Sequence, residues 1–149
     1  MSKAKTFSSG PTNRSCPSPT VIPVLYYPDV HVAAAWLCKA FGFTERLRIF
    51  DHRIQLNVGD GGAIVVADGP GSSPGEGAVS VAIMIRVEDV DQHCAMATRG
   101  GAVIVTPPAT HPFGERQYTA RDFAGHKWNF SQTIADVDPA TWGAETVKG

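Results

Sequence analysis

Side chains that could support acid–base, nucleophilic or metal chemistry are scattered along this sequence and show no recognised catalytic spacing. The sequence has no G-x-S-x-G elbow, no phosphate-binding P-loop, no dinucleotide fingerprint and no C-x-x-C pair. The five histidines are His31, His52, His93, His111 and His126. Charged residues that could serve as acids or bases are Glu115, Arg116, Arg121 and Asp122. Residue type and spacing therefore assign no catalytic residue, although His111 lies in a Pro-rich segment long enough to fold over a groove.

The elements that must position these side chains follow the order strand, helix and three strands, and this order occurs twice. The segment VIPVLYY precedes a helix that Asp29 caps and Gly42 ends, and TERLRIF, RIQLNV and AIVVA follow as strands. In the second copy, VSVAIMIRV precedes a helix that begins after Asp89, and AVIVT, RQYTAR and KWNFSQT follow. LYYPDV at 25–30 aligns with IRVEDV at 85–90, an offset of 60 residues. Such a long repeat indicates two copies of one supersecondary unit.

Length, charge and cysteine content limit the classes of function. A chain of 149 residues with 43% apolar residues can build one domain with a core. Its formal charge of -1 provides no basic surface for nucleic acid or an anionic membrane, and it has no apolar run long enough to span a bilayer. Three widely spaced cysteines favour a reducing compartment over a disulfide framework. We therefore expect a soluble cytoplasmic protein without nucleic-acid or membrane partners.

Composition also divides the chain into segments. Residues 1–20 are rich in Ser, Thr and Pro, which predicts a flexible N-terminal arm. A single domain is expected over 21–134, with units at 21–68 and 78–134 joined by a Gly-, Pro- and Ser-rich loop. Residues 135–149 form a C-terminal tail in which Trp142 could pack back onto the domain or across a dimer.

The stretch Arg121–Trp128, RDFAGHKW, is similar to the RDPxGHxW turn of many glyoxalase-like proteins, with Phe123 in place of the usual Pro. VEDVD at 87–91, followed by Gly100-Gly101-Ala102, resembles the second helix of that group and its exit. Over about residues 21–134 the chain resembles the vicinal oxygen chelate superfamily, which includes glyoxalase I, bleomycin-resistance proteins and extradiol dioxygenases. The resemblance implies an α+β fold in which two tandem βαβββ units form curved mixed sheets around a groove.

The resemblance also implies where a metal would bind. Metal-dependent members take His, Gln or Glu ligands from the first and last strands of each unit. The corresponding residues here are Ile22, Val65, Ala82 and Asn129. Three of these side chains cannot ligate and the fourth is a weak neutral donor, so we predict no metal site and no cofactor.

Side chains expected to face the groove offer a different chemistry. Strand alternation directs Ile83 and Ile85 towards the core and Met84 and Arg86 towards the groove, and it assigns Trp128 and Phe130 to the core. The predicted ligand-binding residues are Tyr26, Met84, Arg86, Phe113, Tyr118 and Asn129. They combine apolar area with a few polar groups, as a small-molecule site requires. Structural roles are alternatives to ligand binding. Tyr26 could be an interior tyrosine, Met84 could fill the core, and Arg86 could pair with Glu88 or Asp122.

Three functions remain open. The first is a metal-independent binding module that sequesters a partly aromatic, neutral or anionic small molecule in the groove. The second is a lyase, isomerase or dioxygenase-type enzyme of the same superfamily. The third is an interaction protein that acts through its dimer and tails. Open sheet edges favour a homodimer in each case.

Overall fold

In this computed structural model, residues 13–69 and 81–146 are described, and they contain the repeated order of elements that the sequence predicts. The first unit comprises β1 (Val24–Tyr27), α1 (Val30–Phe41), β2 (Thr44–Ile49), β3 (Arg53–Val58) and β4 (Gly62–Asp68). The second comprises β5 (Ala82–Arg86), α2 (Val90–Arg99), β6 (Val103–Thr110), β7 (Glu115–Arg121) and β8 (Lys127–Thr133). A short 3-10 turn follows at Pro139–Trp142. The fold is α+β, with two tandem βαβββ units.

Both helices begin and end at the predicted residues because local side chains satisfy their terminal backbone groups. The Asp29 carboxylate accepts hydrogen bonds from two N–H groups in the first turn of α1. Asp89 accepts in the same way from Gln92 N at 3.1 Å. Gly42 ends α1 in the left-handed conformation, at φ 81°, which glycine adopts without strain.

Each unit folds into a mixed four-stranded sheet. The first sheet has the order β1-β4-β3-β2 and the second has the order β5-β8-β7-β6, with the outermost pairs β1–β4 and β5–β8 parallel and the others antiparallel. The register places Val24 opposite Val65, and Met84 opposite Asn129. The two sheets therefore repeat each other strand for strand.

The two units meet through their helices, and the helix-covered faces of both sheets share one core. Phe41, at the end of α1, packs on Trp128 and Phe130 of the second sheet with ring centroids 5.3 and 4.9 Å apart. Gly100 lies directly against Ala40, so close that an added Cβ would be 2.6 Å from Ala40 Cα. Fully buried Trp128 and Phe130 confirm the core assignment made from strand alternation.

Strand β6 differs from the sequence prediction. The Pro-rich segment after Val105 was expected to be a loop, but β6 extends through Pro107 and Pro108 to Thr110. Its pairing with β7 shifts register twice, and β6 is an edge strand, where a residue without an N–H group is tolerated. The loop before β7 is therefore confined to residues 111–114.

The predicted terminal segments are partly described. For the N-terminal arm, residues 1–12 lie outside the described residues, whereas the carbonyl oxygens of residues 14–16 accept hydrogen bonds from side chains of the first sheet. The connecting segment 70–80 and residues 147–149 also lie outside them. Trp142 packs on Phe113 of its own chain, with ring centroids 5.2 Å apart. Within the described ranges, no helix is long and apolar enough to cross a membrane.

Candidate functional site

Three of the six predicted ligand-binding residues come together on the second sheet. Met84 and Asn129 are directly paired on β5 and β8, and Arg86 is two residues further along β5. All three have the strand parity opposite to that of buried Trp128 and Phe130. We call the side of the second sheet that points away from α2 the open face.

Polar atoms at the centre of the open face lack hydrogen-bond partners. Asn129 Nδ2 donates to Thr119 Oγ1 at 3.1 Å, which orients the amide. Within the described part of the chain, buried Asn129 Oδ1 and Arg121 Nε have no partner. A buried acceptor and a buried donor left unpaired are costly, so the face is suited to a ligand that supplies the complementary groups.

One end of the open face carries a satisfied carboxylate. Ser131 and Thr133 each donate a hydroxyl to Glu115 at 2.6 Å. These two hydrogen bonds, with a smaller contribution from the charge of Arg86, lower the pKa of Glu115 below its ordinary value. Glu115 is thus engaged as an acceptor and is poorly placed to act as a general acid.

Cations outnumber anions on this face. By strand register, Arg86, Arg121 and Lys127 lie on it, and among the described residues of its strands Glu115 contributes the single carboxylate. In the described residues, Arg86 forms no ion pair within 4.0 Å, so the alternative pairing with Glu88 or Asp122 is not observed. The surplus of positive charge favours a ligand with a neutral or anionic polar group.

A cleft of about 980 Å³ borders this face where the two units meet. Met84 and Arg86 contribute to its lining, so the cleft and the open face adjoin along β5. The apolar part of the lining consists of Phe41, Phe43, Val58, Met84, Ile85, Val87 and Met96, and the polar part includes Asp60, Glu88 and Gln132. A cleft with apolar and polar lining beside a polar face has the composition of a small-molecule site.

His93 lines the cleft, but both of its ring nitrogens are already engaged. Nε2 lies 3.0 Å from the Phe41 carbonyl oxygen, which can only accept, so Nε2 carries the proton. Nδ1, 2.6 Å from Tyr118 Oη, then accepts the Tyr118 hydroxyl hydrogen. Burial lowers the pKa of His93, which favours this neutral form. The arrangement leaves no free nitrogen for a ligand or a catalytic proton transfer.

The remaining predicted site residues lie elsewhere. Tyr118 is buried among core residues, because its parity on β7 is opposite to that of Thr119. Tyr118 was predicted to bind the ligand, but it does not form part of the open face. Tyr26 is half exposed on β1 of the first sheet. Phe113 stacks on His111 in the loop before β7, with ring centroids 5.1 Å apart.

Two further charged candidates for acid–base chemistry, Asp122 and Arg116, are occupied in structural contacts. Asp122 is buried and accepts four hydrogen bonds, from Tyr27, Trp128 and two backbone N–H groups. Arg116 forms a two-pronged hydrogen bond to Asp91 of α2, at 3.0 Å for each contact. Neither group is available to a ligand on the open face.

Metal ligation at the positions implied by the resemblance does not fit the residues present. Val65 is buried between neighbouring strands, and Asn129 uses its amide nitrogen to bind Thr119. Over residues 13–69 and 81–146, no group of three or more His, Cys, Asp or Glu side chains could hold a metal ion. The chemistry of the face is that of an amide, a thioether and a guanidinium group.

Sequence reasoning missed several residues of this region. Thr119 and Arg121 share the face with Asn129, and the alternation of β7 could have identified them once Tyr118 was assigned to the core. No sequence pattern identified Phe41, Phe43 and Met96 as cleft residues, because their approach to β5 depends on how the two units pack.

Comparison with known proteins gives a consistent family. The sequence pattern of the Glyoxalase/Bleomycin resistance protein/Dioxygenase superfamily matches residues 20–130. Among solved structures, the chain is similar to TioX from Micromonospora sp. ML1, with 32% identity and a TM-score of 0.63. That match covers 80% of this chain and 100% of TioX. No curated protein matches the chain.

More distant structures share the fold. A glyoxalase-related enzyme from Fulvimarina pelagi is 18% identical, with a TM-score of 0.61, over 78% of this chain and 88% of that one. The genomically encoded fosfomycin resistance protein FosX from Listeria monocytogenes is 16% identical, with a TM-score of 0.62, over 78% of this chain and 94% of its own. At these identities the likeness concerns the fold alone.

Proposed function

Because the chain belongs to the glyoxalase/bleomycin resistance protein/dioxygenase superfamily, we propose that it is a metal-independent binding protein that sequesters a small molecule on the second sheet. The ligand is partly aromatic and carries a neutral or anionic polar group. Met84, Arg86 and Asn129 provide its main contacts, and the cleft beside β5 accommodates its apolar part. Phe113 and Tyr26 are not part of this central group.

The observation that carries the proposal is the unpartnered Asn129 Oδ1 among cationic side chains. A ligand N–H or hydroxyl group would satisfy this oxygen, and an acceptor on the ligand would satisfy Arg121 Nε. Arg86 would favour an anionic substituent, while Met84 offers a polarizable contact to an aromatic ring. The same superfamily contains enzymes, but on the described part of this chain three of the four candidate acid–base groups, Glu115, Arg116 and Asp122, are engaged in structural hydrogen bonds.

Binding of an anionic aromatic probe tests this assignment. We expect 8-anilinonaphthalene-1-sulfonate to bind, and Arg86→Ala to weaken its affinity about tenfold, because a charge-assisted contact is lost. Asn129→Ala should also weaken binding. Arg48→Ala is the matched control, since Arg48 is an exposed arginine on β2 that pairs with Glu45. Equal affinity of the wild type, Arg86→Ala and Asn129→Ala would refute the site.

Metal independence has its own test. Probe affinity should be the same in EDTA and after addition of Mg²⁺, Mn²⁺ or Zn²⁺. Native mass spectrometry of the purified protein should show a small-molecule adduct or an empty chain. A stoichiometric divalent metal, or binding that depends on one, would overturn the proposal and favour an enzyme.

We further propose that the protein is a homodimer located in the cytoplasm. Exposed apolar residues on the edge strand β6, namely Val103 and Val105, are suited to contact a second copy, and both sheets have open edges. All three cysteines are free, as a reducing compartment would keep them. Sedimentation at micromolar concentration, followed by cell fractionation, tests both statements; a monomer or a membrane-bound fraction would contradict them.

A further inference from the structure

The cleft beside β5 is bordered by carboxylates from both units. Asp60 lies in the turn between β3 and β4 of the first unit, and Glu88 lies between β5 and α2 of the second. Both residues line the cleft, and both are exposed. In the parts of the chain that the structure describes, neither carboxylate forms an ion pair. Two acidic groups from separate units thus border one opening.

Other polar side chains of the cleft are already engaged. Gln132 Oε1 accepts a hydrogen bond from the first backbone N–H group of α2 at 2.9 Å. The Thr133 hydroxyl donates to a carboxylate at 2.6 Å, and His93 uses both of its ring nitrogens. Among the described lining residues, Asp60 and Glu88 are therefore the charged acceptors that remain for a ligand.

Charge changes sign along β5. Arg121 and Lys127 are paired beside the first residue of this strand, and Arg86 is its last residue. Glu88 follows two residues later, where the N–H group of Val87 still donates to β8 at 2.9 Å. The cationic part of the open face and the acidic border of the cleft therefore lie towards opposite ends of one strand.

Apolar side chains occupy the space between these two charged regions. Met84 is at the centre of the open face and also lines the cleft, together with Phe41, Phe43 and Met96. A strand rises about 3.3 Å per residue, so the four residues from Met84 to Glu88 span about 13 Å. Thioether and phenyl groups over this distance suit an aromatic ring that bears an alkyl chain.

We propose that the ligand of the second sheet is amphoteric. Besides the neutral or anionic group that Arg86 and Asn129 bind, it carries a protonated amine that lies against Asp60 and Glu88. This inference rests on the proposed function, because it adds a group to the same ligand. An ammonium group donates three hydrogen bonds, so one amine can bind carboxylates of both units. Ligand binding then bridges the two units across the cleft.

Two fluorescent probes test for the amine site. Dansyl cadaverine and N-pentyl dansylamide share an aromatic ring system, a sulfonamide and a five-carbon chain, and they differ only in the terminal ammonium group. We expect the wild type to bind dansyl cadaverine about fivefold more tightly, the effect of one ion pair near the surface. Asp60→Asn and Glu88→Gln should each reduce this ratio of affinities, and the double variant should bring it to about one. Fluorescence titration measures the ratio.

Asp51→Asn is the matched control for charge. Asp51 is an exposed carboxylate in the turn between β2 and β3, where it contacts His31 outside the cleft. Its loss should leave the ratio of affinities unaltered, and an equal fall in this variant would reveal general attraction to acidic groups and overturn the proposal. Equal affinity of the wild type for both probes would refute the amine site alone. Failure of both probes to bind would refute the proposed function together with it.

NMR of the wild type locates the amine without any substitution. Saturating dansyl cadaverine should shift the backbone amide signals of Asp60 and Glu88 more than N-pentyl dansylamide does. Differences between the two probes that are confined to the other end of β5, near Lys127, would place the amine elsewhere and overturn the assignment.

Discussion

The hydroxyl group of Tyr27, on the first strand of the first unit, donates a 2.7 Å hydrogen bond to Oδ2 of Asp122 in the second unit. The same oxygen accepts from Trp128 Nε1 at 3.1 Å, and the other oxygen accepts from two backbone N–H groups of the turn before β8. The aspartate of the RDFAGHKW stretch therefore joins the two units and shapes the turn. These hydrogen bonds give the aspartate of that stretch a structural use.

Loss of this bond should destabilise the protein. We expect Tyr27→Phe to lower the free energy of unfolding by about 2 kcal/mol, because a buried carboxylate loses one of its donors. The measurement is chemical denaturation of the purified protein. Tyr26→Phe, at the half-exposed neighbouring position, is the control and should have little effect. Equal stability of Tyr27→Phe and the wild type would show that the bond is dispensable.

Stability should fall at alkaline pH. Burial is the largest cause that raises the pKa of both Tyr27 and Tyr118 above the ordinary value of 10.0. The unfolded chain ionises these groups near pH 10 while the folded protein keeps them neutral. Stability is therefore lost as pH rises above 10, by about 1.4 kcal/mol per pH unit for each tyrosine. Above pH 10, the unfolding free energy of Tyr118→Phe should fall less steeply with pH than that of the wild type. An equally steep fall would contradict the raised pKa of Tyr118.

Stability should also fall at mildly acidic pH because of His93. Burial is the main cause that lowers its pKa below 6.5, opposed by its bond to the Phe41 carbonyl. The contribution of neutral His93 is complete above the unfolded pKa of 6.5 and is lost as pH falls through the lower folded pKa. We expect the stability difference between wild type and His93→Gln to shrink below pH 6.5. A difference that stays constant with pH, together with an NMR titration of the ring near 6.5, would disprove this.

The contact between the helices should not tolerate a larger residue at position 100. Gly100 has an ordinary backbone conformation, at φ -79°, so only the nearby Ala40 requires glycine there. Gly100→Ala should cost about 1–3 kcal/mol of unfolding free energy, the usual range for overpacking. Gly61→Ala is the control for backbone strain alone, because its φ is 97° and no atom lies within 4 Å of an added Cβ. If Gly100→Ala were as stable as the wild type, the helices would not be in close contact.

Local patterns in the sequence were sufficient for the elements and for half of the candidate site. Asp29 and Asp89 identify helix starts because capping involves only the next few residues. The alternation of β5 and β8 separates Met84, Arg86 and Asn129 from the core, because successive side chains of a strand point to opposite faces. These features depend on residues that are close together along the chain, so they can be predicted from a single sequence.

Other features arise only from contacts between distant segments. Tyr118 is in the core because of the register of β7 against β8. The pairing of β6 with β7 is irregular, so the sequence pattern of β6 does not indicate which side chains of β7 face the core. The cleft beside β5 exists because α1 and α2 pack together and bring Phe41 to the second unit. The arm is held by Arg46 and Gln55, about 30 to 40 residues away in sequence. The low hydrophobicity of the arm predicted a flexible segment. The side-chain donors that bind its carbonyl groups are brought to it only when the first sheet folds.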